Sequence, residues 1–508
     1  MIPFLSWLLV GVLGALAFPL VIAPVGSTPI LDFLPRELFM FVCAGGLYQI
    51  GMGKGTLTQK LSAGLVAGIG FFSVVLYWIT IAMVQFAHMP LAQACAVVGL
   101  LVLYSSLFWA VITGLSHWFR HNSPWLRVLW FGAVVVTVAW CRNWMVTGFP
   151  WGQWGYSQAR NLPLAQWASV GGIYLVTFLV ATGGATLAEY MRARHSPRAI
   201  WVGGTMLALI ATVGGGGHWL AQRPSEQPSS TFAAGIIQGN IEQSIKNRSQ
   251  AHQHSIKQRY LQESERARKA GADVLVWPEA AWPGYLSTAL ERLPLSPLGI
   301  PLILGAPSYT PGNERQHLNS AFHIDSDGTI KGRYDKVHLV PFGEYVPLRS
   351  ILPVEKFVPG LMDFSAGTSF ASIGSPPAGA LICFDGVFPE IARQEVLDGA
   401  QWLVNLTNDG WYGISSAPYQ HLDFYVFRAI ENARFVVRAA NTGVSAAIDP
   451  RGNIITRTRL GEQTYLLPTI APLKDTTLYT KFGNWFVVLC MNGLVIGAAF
   501  RKPRPLTQ

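Results

Sequence analysis

The most constraining feature of this sequence is a series of long stretches that carry almost no charge. Between Leu61 and Val84 there is no Asp, Glu, Lys, Arg or His. About 20 predominantly apolar residues are enough for a helix to cross the hydrocarbon core of a bilayer. Seven other stretches are similar in composition. We therefore predict eight membrane spans, at residues 4–23, 36–52, 61–84, 92–116, 125–145, 166–190, 199–220 and 483–500.

The charged residues are concentrated in residues 221–482, which we predict to form a separate polar domain. Residues 1–220 and 483–508 together contain 13 Lys and Arg but only three Asp and Glu, whereas residues 221–482 contain 24 of each kind. The formal net charge of +10 therefore belongs to the apolar part. A neutral domain is a poor surface for nucleic acid, because that binding depends on neutralising phosphates with basic side chains.

The basic residues of the short loops predict which way the chain faces. Loops that remain in the cytoplasm carry an excess of Lys and Arg. With eight spans, ten of these residues fall on one side, and only Arg36, Arg142 and Arg160 fall in short loops on the other. We predict that the polar domain is extracytoplasmic. The ten are Lys54, Lys60, Arg120, Arg127, Arg192, Arg194, Arg198, Arg501, Lys502 and Arg504.

The loop at residues 142–163 is unusually aromatic. It contains Trp144, Phe149, Trp151, Trp154 and Tyr156 among Gly and Pro residues. One interpretation is an aromatic belt at the membrane interface, where Trp and Tyr are enriched. The other is a platform that docks the polar domain or guides a lipid.

The polar domain has the pattern of a single α/β unit. Short apolar runs that end in polar or turn residues indicate buried strands, and longer amphipathic stretches indicate helices. We predict strands at residues 232–238, 273–277, 302–305, 380–383, 402–406, 435–440 and 445–448, and helices at residues 250–270 and 419–432.

Three residues near predicted strand ends are candidates for catalysis. Cys383 is the only cysteine of the polar domain, so it has no disulfide partner there. Glu279 follows a buried strand and is separated from it by Pro278. Burying a charged side chain at such a position costs free energy, which suggests a functional role. Lys336 could instead form an ion pair with Asp335 or lie at the surface, and a lone cysteine could be structural. Together the three supply a base, a cation and a nucleophile for acyl transfer through a thiol.

These residues stand in motifs that resemble the Glu–Lys–Cys signature of the nitrilase superfamily. The motifs are Trp277-Pro-Glu279, Tyr334-Asp-Lys336 with the following Val-His-Leu-Val-Pro-Phe-Gly-Glu344, and Ile382-Cys383-Phe-Asp385. The predicted spans resemble its membrane branch, the apolipoprotein N-acyltransferases. Further segments similar to that branch are Gly148-Phe-Pro-Trp151, Gln238-Gly-Asn240, Asn408-Asp-Gly-Trp411-Tyr-Gly413 and Arg428-Ala-Ile-Glu-Asn432.

The resemblance implies a multi-pass α-helical membrane bundle of about eight spans plus a nitrilase-like αββα sandwich. Residues 1–220 would hold transmembrane helices 1–7, residues 221–482 the extracytoplasmic catalytic domain, and residues 483–508 helix 8 and a cytoplasmic tail. The protein would lie in the bacterial inner membrane, with its catalytic domain on the periplasmic side.

The resemblance also implies the reaction. Glu279 would be the general base, Lys336 the cation that stabilises the oxyanion, and Cys383 the nucleophile, with Glu344 supporting them. A phospholipid, phosphatidylethanolamine in particular, would acylate Cys383. The resulting thioester would acylate the α-amino group of a diacylglyceryl-cysteine at an apolipoprotein N-terminus. Neither a cofactor nor a metal is needed, and the pair His252 and His254 has no evident third ligand.

Substrate contacts are predicted with less support from the motifs. We expect Trp411 and Asp385 to contribute. We also expect an apolar, proline-containing segment at residues 346–364 to form a lid that enters the lipid headgroup region through Phe357 and Leu361; its alternative is a loop packed on the domain. Asn247 departs from the tryptophan common in the family, and Phe384 and Asp385 depart from Tyr and Glu.

Two other functions are compatible with parts of this pattern. A membrane-anchored amidase or hydrolase could use the same three residues with water as the acceptor, although eight spans are excessive for an anchor. A transporter with an extracytoplasmic sensing domain is disfavoured, because transporters carry ionisable residues along their pathway and these span interiors are nearly uncharged.

Overall fold

A computed structural model describes residues 2–22, 28–223, 228, 230–246, 251–295, 298–313, 315–347 and 363–499. The chain divides into two compact units. One, the helical unit, comprises residues 1–80, 90–223 and 481–508, and the other, the sheet unit, comprises residues 81–89 and 224–480.

The helical unit contains helices at all eight predicted spans, so the prediction of a multi-pass bundle is confirmed. Within the residues that the structure describes, five helices are long and apolar enough to cross a membrane, and three shorter apolar helices occupy the first, second and eighth spans. Two short helices lie among the longer ones, and one of these two, at Ile79–Gln85, lies mostly in the sheet unit. The helices are α1 (Ile2–Ala15), α2 (Leu38–Met52), α3 (Leu57–Val75), α4 (Ile79–Gln85), α5 (Leu91–Trp118), α6 (Pro124–Arg142), α7 (Leu162–Ala165), α8 (Ala168–Ala193), α9 (Arg198–Gln222) and α15 (Trp485–Ala499).

The third predicted span differs from a single helix. Helix α3 begins with a capping box, in which the Thr56 side chain accepts from the Gln59 main-chain N–H and Gln59 Oε1 accepts from the Thr56 main-chain N–H. The helix ends at Val75, and α4 begins at Ile79. Hydrophobicity was uniform across this break, so periodicity and composition could not place it. Most of α4 belongs to the sheet unit.

The aromatic loop folds into the helical unit. Trp151, Trp154 and Tyr156 are buried, whereas Trp144 is half exposed. Arg142 holds the loop by donating from Nη1 to the carbonyl of Trp151, at 2.9 Å. Most of these aromatic rings therefore form a packed core of the helical unit, which neither interpretation of the loop anticipated.

The sheet unit contains two β-sheets. The first has the strand order β12-β1-β2-β4-β5-β6, with β13 beside β1 and β3 beside β4, and the second has the order β11-β10-β9-β8-β7. The strands are β1 (Phe232–Gln238), β2 (Val274–Trp277), β3 (Leu286–Ser287), β4 (Leu302–Tyr309), β5 (His317–Ile324), β6 (Ile330–Asp335), β7 (Ala378–Ile382), β8 (Trp402–Thr407), β9 (Val436–Ala440), β10 (Ala446–Ile448), β11 (Ile454–Arg457), β12 (Thr464–Leu466) and β13 (Thr469–Ile470).

The two sheets pack face to face with helices outside them, as predicted for an αββα sandwich. Their shared core joins side chains such as Ile236 and Ile303 of the first sheet to Val404 and Val437 of the second. On the outer face of the first sheet, Tyr260 of one helix packs on the core. The helices of this unit are α10 (Gln243–Lys246), α11 (Gln253–Lys269), α12 (Pro389–Leu397), α13 (Ala417–Asn432) and α14 (Leu478–Phe482).

Strand direction brings several strand ends to one place. Strands β1, β2 and β4 run parallel in the first sheet, and β7, β8 and β9 run parallel in the second. The carboxyl ends of parallel strands meet at one edge of a sheet, which is where functional side chains of open α/β sheets collect.

Candidate active site

The predicted catalytic residues follow strand ends and lie together. Glu279 follows β2, Lys336 follows β6 and Cys383 follows β7. Lys336 Nζ is 3.7 Å from Glu279 Oε1 and 2.9 Å from Glu344 Oε2. The charges of Glu279 and Lys336 both act on the thiol of Cys383. The site is thus a thiol beside a carboxylate and an ammonium, all in the interior of the sheet unit.

Glu279 is held by main-chain and side-chain donors. Asn319 Nδ2 donates to Oε1 at 2.8 Å, and the main-chain N–H of Asn408, just after β8, donates to Oε2 at 2.9 Å. The main chain at Pro278 and Glu279 lies close against Gly305 of strand β4, which has no side chain. A Cβ at Gly305 of β4 would overlap the carbonyl of Pro278 and crowd Glu279. Both sheets therefore fix the position of this carboxylate.

Glu344 holds Lys336 in place. Its Oε1 accepts from Lys336 Nζ and from Asn319 Nδ2, each at 3.0 Å. Its Oε2 accepts from the main-chain N–H of Val340 at 2.7 Å. Asn319 thus bridges the two carboxylates, and one ammonium lies between them.

Burial and charge shift the pKa values of the three central groups. Burial raises the pKa of Glu279, and the neighbouring Lys336 opposes that rise. Burial alone would lower the pKa of Lys336, but Glu344 and Glu279 outweigh it and leave this pKa above its ordinary value. Burial and the charge of Glu279 raise the pKa of the Cys383 thiol. At neutral pH the Cys383 thiol is therefore neutral, and a base is needed to make it reactive.

Cys383 occupies an uncommon backbone conformation. Its φ is +49°, in the left-handed region that residues other than glycine seldom adopt. It opens a short 3-10 turn, Cys383–Val387. Strain of this kind is concentrated at functional sites, where the surrounding structure maintains it.

Asp385, predicted as a substrate contact, lies in the same short turn as Cys383. It is fully buried, and its carboxylate accepts from Tyr334 Oη at 3.0 Å and from the main-chain N–H groups of His338 and Ile382 at 2.9 and 3.1 Å. Burial raises its pKa to about 7. These bonds connect the turn of Cys383 to the segment that follows Lys336, so a positioning role fits this geometry.

The other predicted substrate contacts have different outcomes. Trp411 lies in the 3-10 turn Asp409–Tyr412 after β8, and its ring packs edge-on against Phe86, with centroids 5.4 Å apart. Phe357, Leu361 and Asn247 lie outside the described residues.

Sequence reasoning missed Asn319 and Lys246. Lys246 is half-buried, and its Nζ donates to the main-chain carbonyl of Glu279 at 3.1 Å. Desolvation lowers its pKa to about 8, and the charge of Glu279 opposes that shift. A lysine that closely follows a buried strand was the available signal. Asn319 had only the signal of a polar residue within strand β5, which was not predicted. Among the described residues, no group of three His, Cys, Asp or Glu side chains is arranged to hold a metal ion.

Two known family models match the chain, one in its polar part and one in its apolar part. The carbon–nitrogen hydrolase family model matches residues 233–476, and the model of the apolipoprotein N-acyltransferase N-terminal domain matches residues 10–186.

Curated relatives match nearly the whole chain. The apolipoprotein N-acyltransferase of Geobacter metallireducens is 35% identical, with 98% of this chain and 95% of the relative covered. That of Rhodopseudomonas palustris is 34% identical, again with 98% and 95% covered.

Solved structures match about half of the chain. A nitrilase-superfamily protein of Saccharomyces cerevisiae is 19% identical with a TM-score of 0.38, and covers 56% of this chain and 98% of its own. An amidase variant from a Nesterenkonia species is 19% identical with a TM-score of 0.36, and covers 52% of this chain and 98% of its own.

Proposed function

The chain belongs to the apolipoprotein N-acyltransferase family, and we propose that it moves an acyl chain from a phospholipid, through a thioester on Cys383, to the N-terminus of an apolipoprotein. The acceptor would be the α-amino group of the diacylglyceryl-cysteine. The observation that carries the proposal is a buried Glu279, Lys336 and Cys383 in mutual electrostatic reach, in a chain rich in membrane-length apolar helices.

The first half-reaction acylates the enzyme. Glu279 takes the thiol proton as Cys383 Sγ attacks the ester carbonyl of the phospholipid. Lys336 stabilises the oxyanion of the tetrahedral intermediate, since a fixed cation in a site without bulk water stabilises developing charge strongly. The ester C–O bond then breaks, and protonated Glu279 returns its proton to the departing alcohol of the lysophospholipid.

The second half-reaction transfers the acyl chain to nitrogen. The α-amino group attacks the thioester carbonyl, again with its oxyanion beside Lys336. Glu279 accepts the proton that the amine loses, and the C–S bond breaks as the amide forms. The proton then passes to the sulfur, which restores the neutral thiol favoured by the raised pKa of Cys383.

We propose phosphatidylethanolamine as the donor and the bacterial inner membrane as the location. Residues 1–220 and 483–508 would form the membrane part, and residues 221–482 the catalytic domain on the periplasmic side. The distribution of ten basic loop residues against three supports this orientation. Both substrates are lipid-anchored, so a membrane enzyme need not extract either of them.

We also propose that Trp411 contacts the acyl donor. Its turn directly follows Asn408, whose main chain holds Glu279, and its ring meets Phe86. Phe357 and Leu361 remain predicted lid residues. Polar substitution of either should lower activity on membrane substrates and leave the thermal midpoint unchanged; a matched fall in both properties would instead indicate a loop packed on the domain.

The deciding experiment traps the acyl-enzyme. Purified protein in vesicles of phosphatidylethanolamine with a labelled acyl chain should acquire label that hydroxylamine releases, because hydroxylamine cleaves thioesters. Cys383→Ser should abolish this hydroxylamine-labile label, with Cys95→Ser as the matched control that retains it. Adding a diacylglyceryl peptide should move the label onto the peptide amine.

Three results would count against the proposal in different ways. Unlabelled wild-type protein would reject the thioester, and undiminished label on Cys383→Ser would reject this nucleophile. Label released only as free fatty acid, even with the diacylglyceryl peptide present, would identify a hydrolase. Vesicles of phosphatidylglycerol that label faster would replace the proposed donor.

A further inference from the structure

The main-chain carbonyl of Cys383, the proposed nucleophile, accepts a hydrogen bond from one side chain and faces a ring nitrogen of another. Tyr425 Oη donates to the carbonyl oxygen of Cys383 at 2.9 Å, and His421 Nε2 lies 3.3 Å from the same atom. Both residues belong to α13 and are four positions apart, which places them on one face of the helix. Burial and Arg438 lower the pKa of His421, so its ring is neutral. Nε2 donates to this carbonyl in the tautomer that leaves Nδ1 unprotonated, and Nδ1 then accepts from Arg438 Nη2 at 3.3 Å.

The far side of His421 is anchored in the second sheet. His421 Nδ1 is 2.9 Å from Asp409 Oδ1, and Arg438 Nη2 is 2.6 Å from Asp409 Oδ2. Arg438 also donates from Nη1 to Asn405 Oδ1 at 2.6 Å. All four side chains are buried, and Arg438 and Asn405 lie on the adjacent strands β9 and β8. The donors to Cys383 are therefore tied to rigid elements.

The turn is shaped to admit the tyrosine hydroxyl. A Cβ at Gly386, three residues after the nucleophile, would overlap the hydroxyl and ring of Tyr425. The hydroxyl thus reaches the Cys383 carbonyl over a residue that has no side chain. The absence of a side chain at Gly386 is therefore required for the hydrogen bond from Tyr425 to the Cys383 carbonyl.

The nucleophile needs such support because of its backbone conformation. The φ of +49° is strained for a residue with a Cβ, and relaxation to negative φ would swing Cβ and Sγ to a new direction. The hydrogen bond from Tyr425, joined by one from His421 in its Nε2–H tautomer, fixes the peptide plane that follows Cys383. They oppose rotation toward the relaxed conformation.

We propose that Tyr425 and His421 are positioning residues that hold the Cys383 carbonyl and thereby keep Sγ aimed between Glu279 and Lys336. Asp409 and Arg438 orient His421 for this task. The inference rests on the proposed role of Cys383 as the nucleophile, and it assigns a function to helix α13 in the acylation step.

The test compares two tyrosine-to-phenylalanine variants of the full-length protein in vesicles. Tyr425→Phe removes the hydroxyl and keeps the ring. Tyr260→Phe is the matched control, because Tyr260 is also fully buried and donates one hydrogen bond, to Asn441 at 3.2 Å. The readouts are the single-turnover acylation rate at saturating phospholipid, the phospholipid KM, and the rate at which iodoacetamide alkylates Cys383, followed by mass spectrometry.

We expect Tyr425→Phe to slow acylation and alkylation by roughly three- to tenfold, as the loss of one hydrogen bond implies. The KM should be unchanged, and the thermal midpoint should fall no further than in Tyr260→Phe. Wild-type rates in Tyr425→Phe would overturn the proposal, and so would equal losses in the two variants.

A second pair tests the histidine and remains informative if Tyr425→Phe fails to fold. His421→Gln replaces the ring with an amide that can still donate a hydrogen bond. His421→Leu has a side chain of similar size but no donor. We expect the Gln variant to alkylate several-fold faster than the Leu variant; equal rates would overturn the role of His421. If wild type forms no lipid thioester but alkylation still depends on Tyr425, the proposed function fails while the positioning role stands.

Discussion

Burial and three charged side chains determine the pH at which Glu279, the proposed base, is ionised. Lys336 and Lys246 lower the pKa of Glu279, while burial and Glu344 raise it. Glu279 must be ionised to take the thiol proton, so activity should rise with pH as this carboxyl loses its proton. The two neighbours of opposite sign offer a test of this dependence.

We predict that Lys246→Met and Glu344→Gln move the acidic limb of the pH–rate profile in opposite directions. Without the ammonium of Lys246 the pKa of Glu279 rises, so the limb moves to higher pH. Without the charge of Glu344 that pKa falls, so the limb moves to lower pH. Glu344→Gln should also reduce the maximal rate, by roughly tenfold or more, because Lys336 loses a charge-assisted hydrogen bond.

The measurement is the single-turnover acylation rate from pH 5 to pH 9. Lys257→Met is the control, because Lys257 lies over the ring of Trp282, 4.0 Å from its centroid, and is not among the groups that shift the pKa of Glu279. Shifts in the same direction for Lys246→Met and Glu344→Gln would contradict the assignment of Glu279 as the base.

At the residue scale, the sequence indicated the groups whose chemistry is distinctive. Cys383 was unique in its domain, and Glu279 was a carboxylate directly after a buried strand. Asn319 could not be identified in this way, because its importance comes from the pairing of β5 with β4 and β6, which places it beside two carboxylates. Tyr425 was equally hidden, since a buried tyrosine in a helix is usually part of the core.

At the scale of elements, strands with strong local signals were predicted and strands defined by their partners were not. The predictions for β1, β2, β8 and β9 are confirmed, because these strands are mostly apolar and are buried on both faces. Strand β5 contains His and Asn residues and pairs with β4, and β6 contains Arg and Asp residues and pairs with β5, so composition gave no indication of either strand. The predicted strand 380–383 ends one residue earlier, because Cys383 turns out of it.

Helix α12 contains a buried carboxyl group that should make stability depend on pH. Glu395 packs against β7, and a Cβ at Gly379 would overlap its side chain. Burial raises the pKa of Glu395 from its ordinary 4.5 to about 9, and the charges of Asp385 and Asp398 add to this shift. Between these values the folded state holds a proton that the unfolded state has lost, so stability must fall as pH rises.

We predict that Glu395→Gln gains stability relative to wild type as pH is raised from 5 to 8. The difference in unfolding free energy should grow by at most about 1.4 kcal/mol per pH unit. Thermal midpoints of the detergent-solubilised protein follow this change. Glu265→Gln is the control: the pKa of exposed Glu265 is about 2, lowered by Arg268, so its carboxylate is ionised in both states throughout this range. A Glu395→Gln difference independent of pH would show that Glu395 is ionised in the folded protein.

At the scale of the whole molecule, the division of charge between the apolar and polar parts of the chain can be read directly from the sequence. The apolar part carries the entire excess of Lys and Arg, and the sheet unit contains the catalytic candidates. The excess charge bears on orientation in the membrane, since Lys and Arg near span ends are retained in the cytoplasm. Orientation in turn determines which leaflet and which substrates reach Cys383.

This orientation predicts the labelling of single cysteines in intact cells. Ser326→Cys lies on an exposed turn of the sheet unit, and Ser196→Cys lies in the exposed loop between α8 and α9. In a background without the native cysteines, a membrane-impermeant maleimide admitted to the periplasm should label Ser326→Cys. It should label Ser196→Cys only after the inner membrane is permeabilised, because Arg192, Arg194 and Arg198 predict a cytoplasmic location for that loop.

The reverse pattern would place the catalytic domain in the cytoplasm. Labelling of both positions before permeabilisation would mean that both lie in the periplasm. The chain between Ser196 and Ser326 would then not cross the membrane. Predicted span seven, α9, is the one segment between them, and only 11% of its most apolar window is buried. Such exposure matches a helix that faces lipid along most of its surface. The labelling of Ser196→Cys and Ser326→Cys on opposite sides therefore tests both the orientation and whether α9 crosses the membrane.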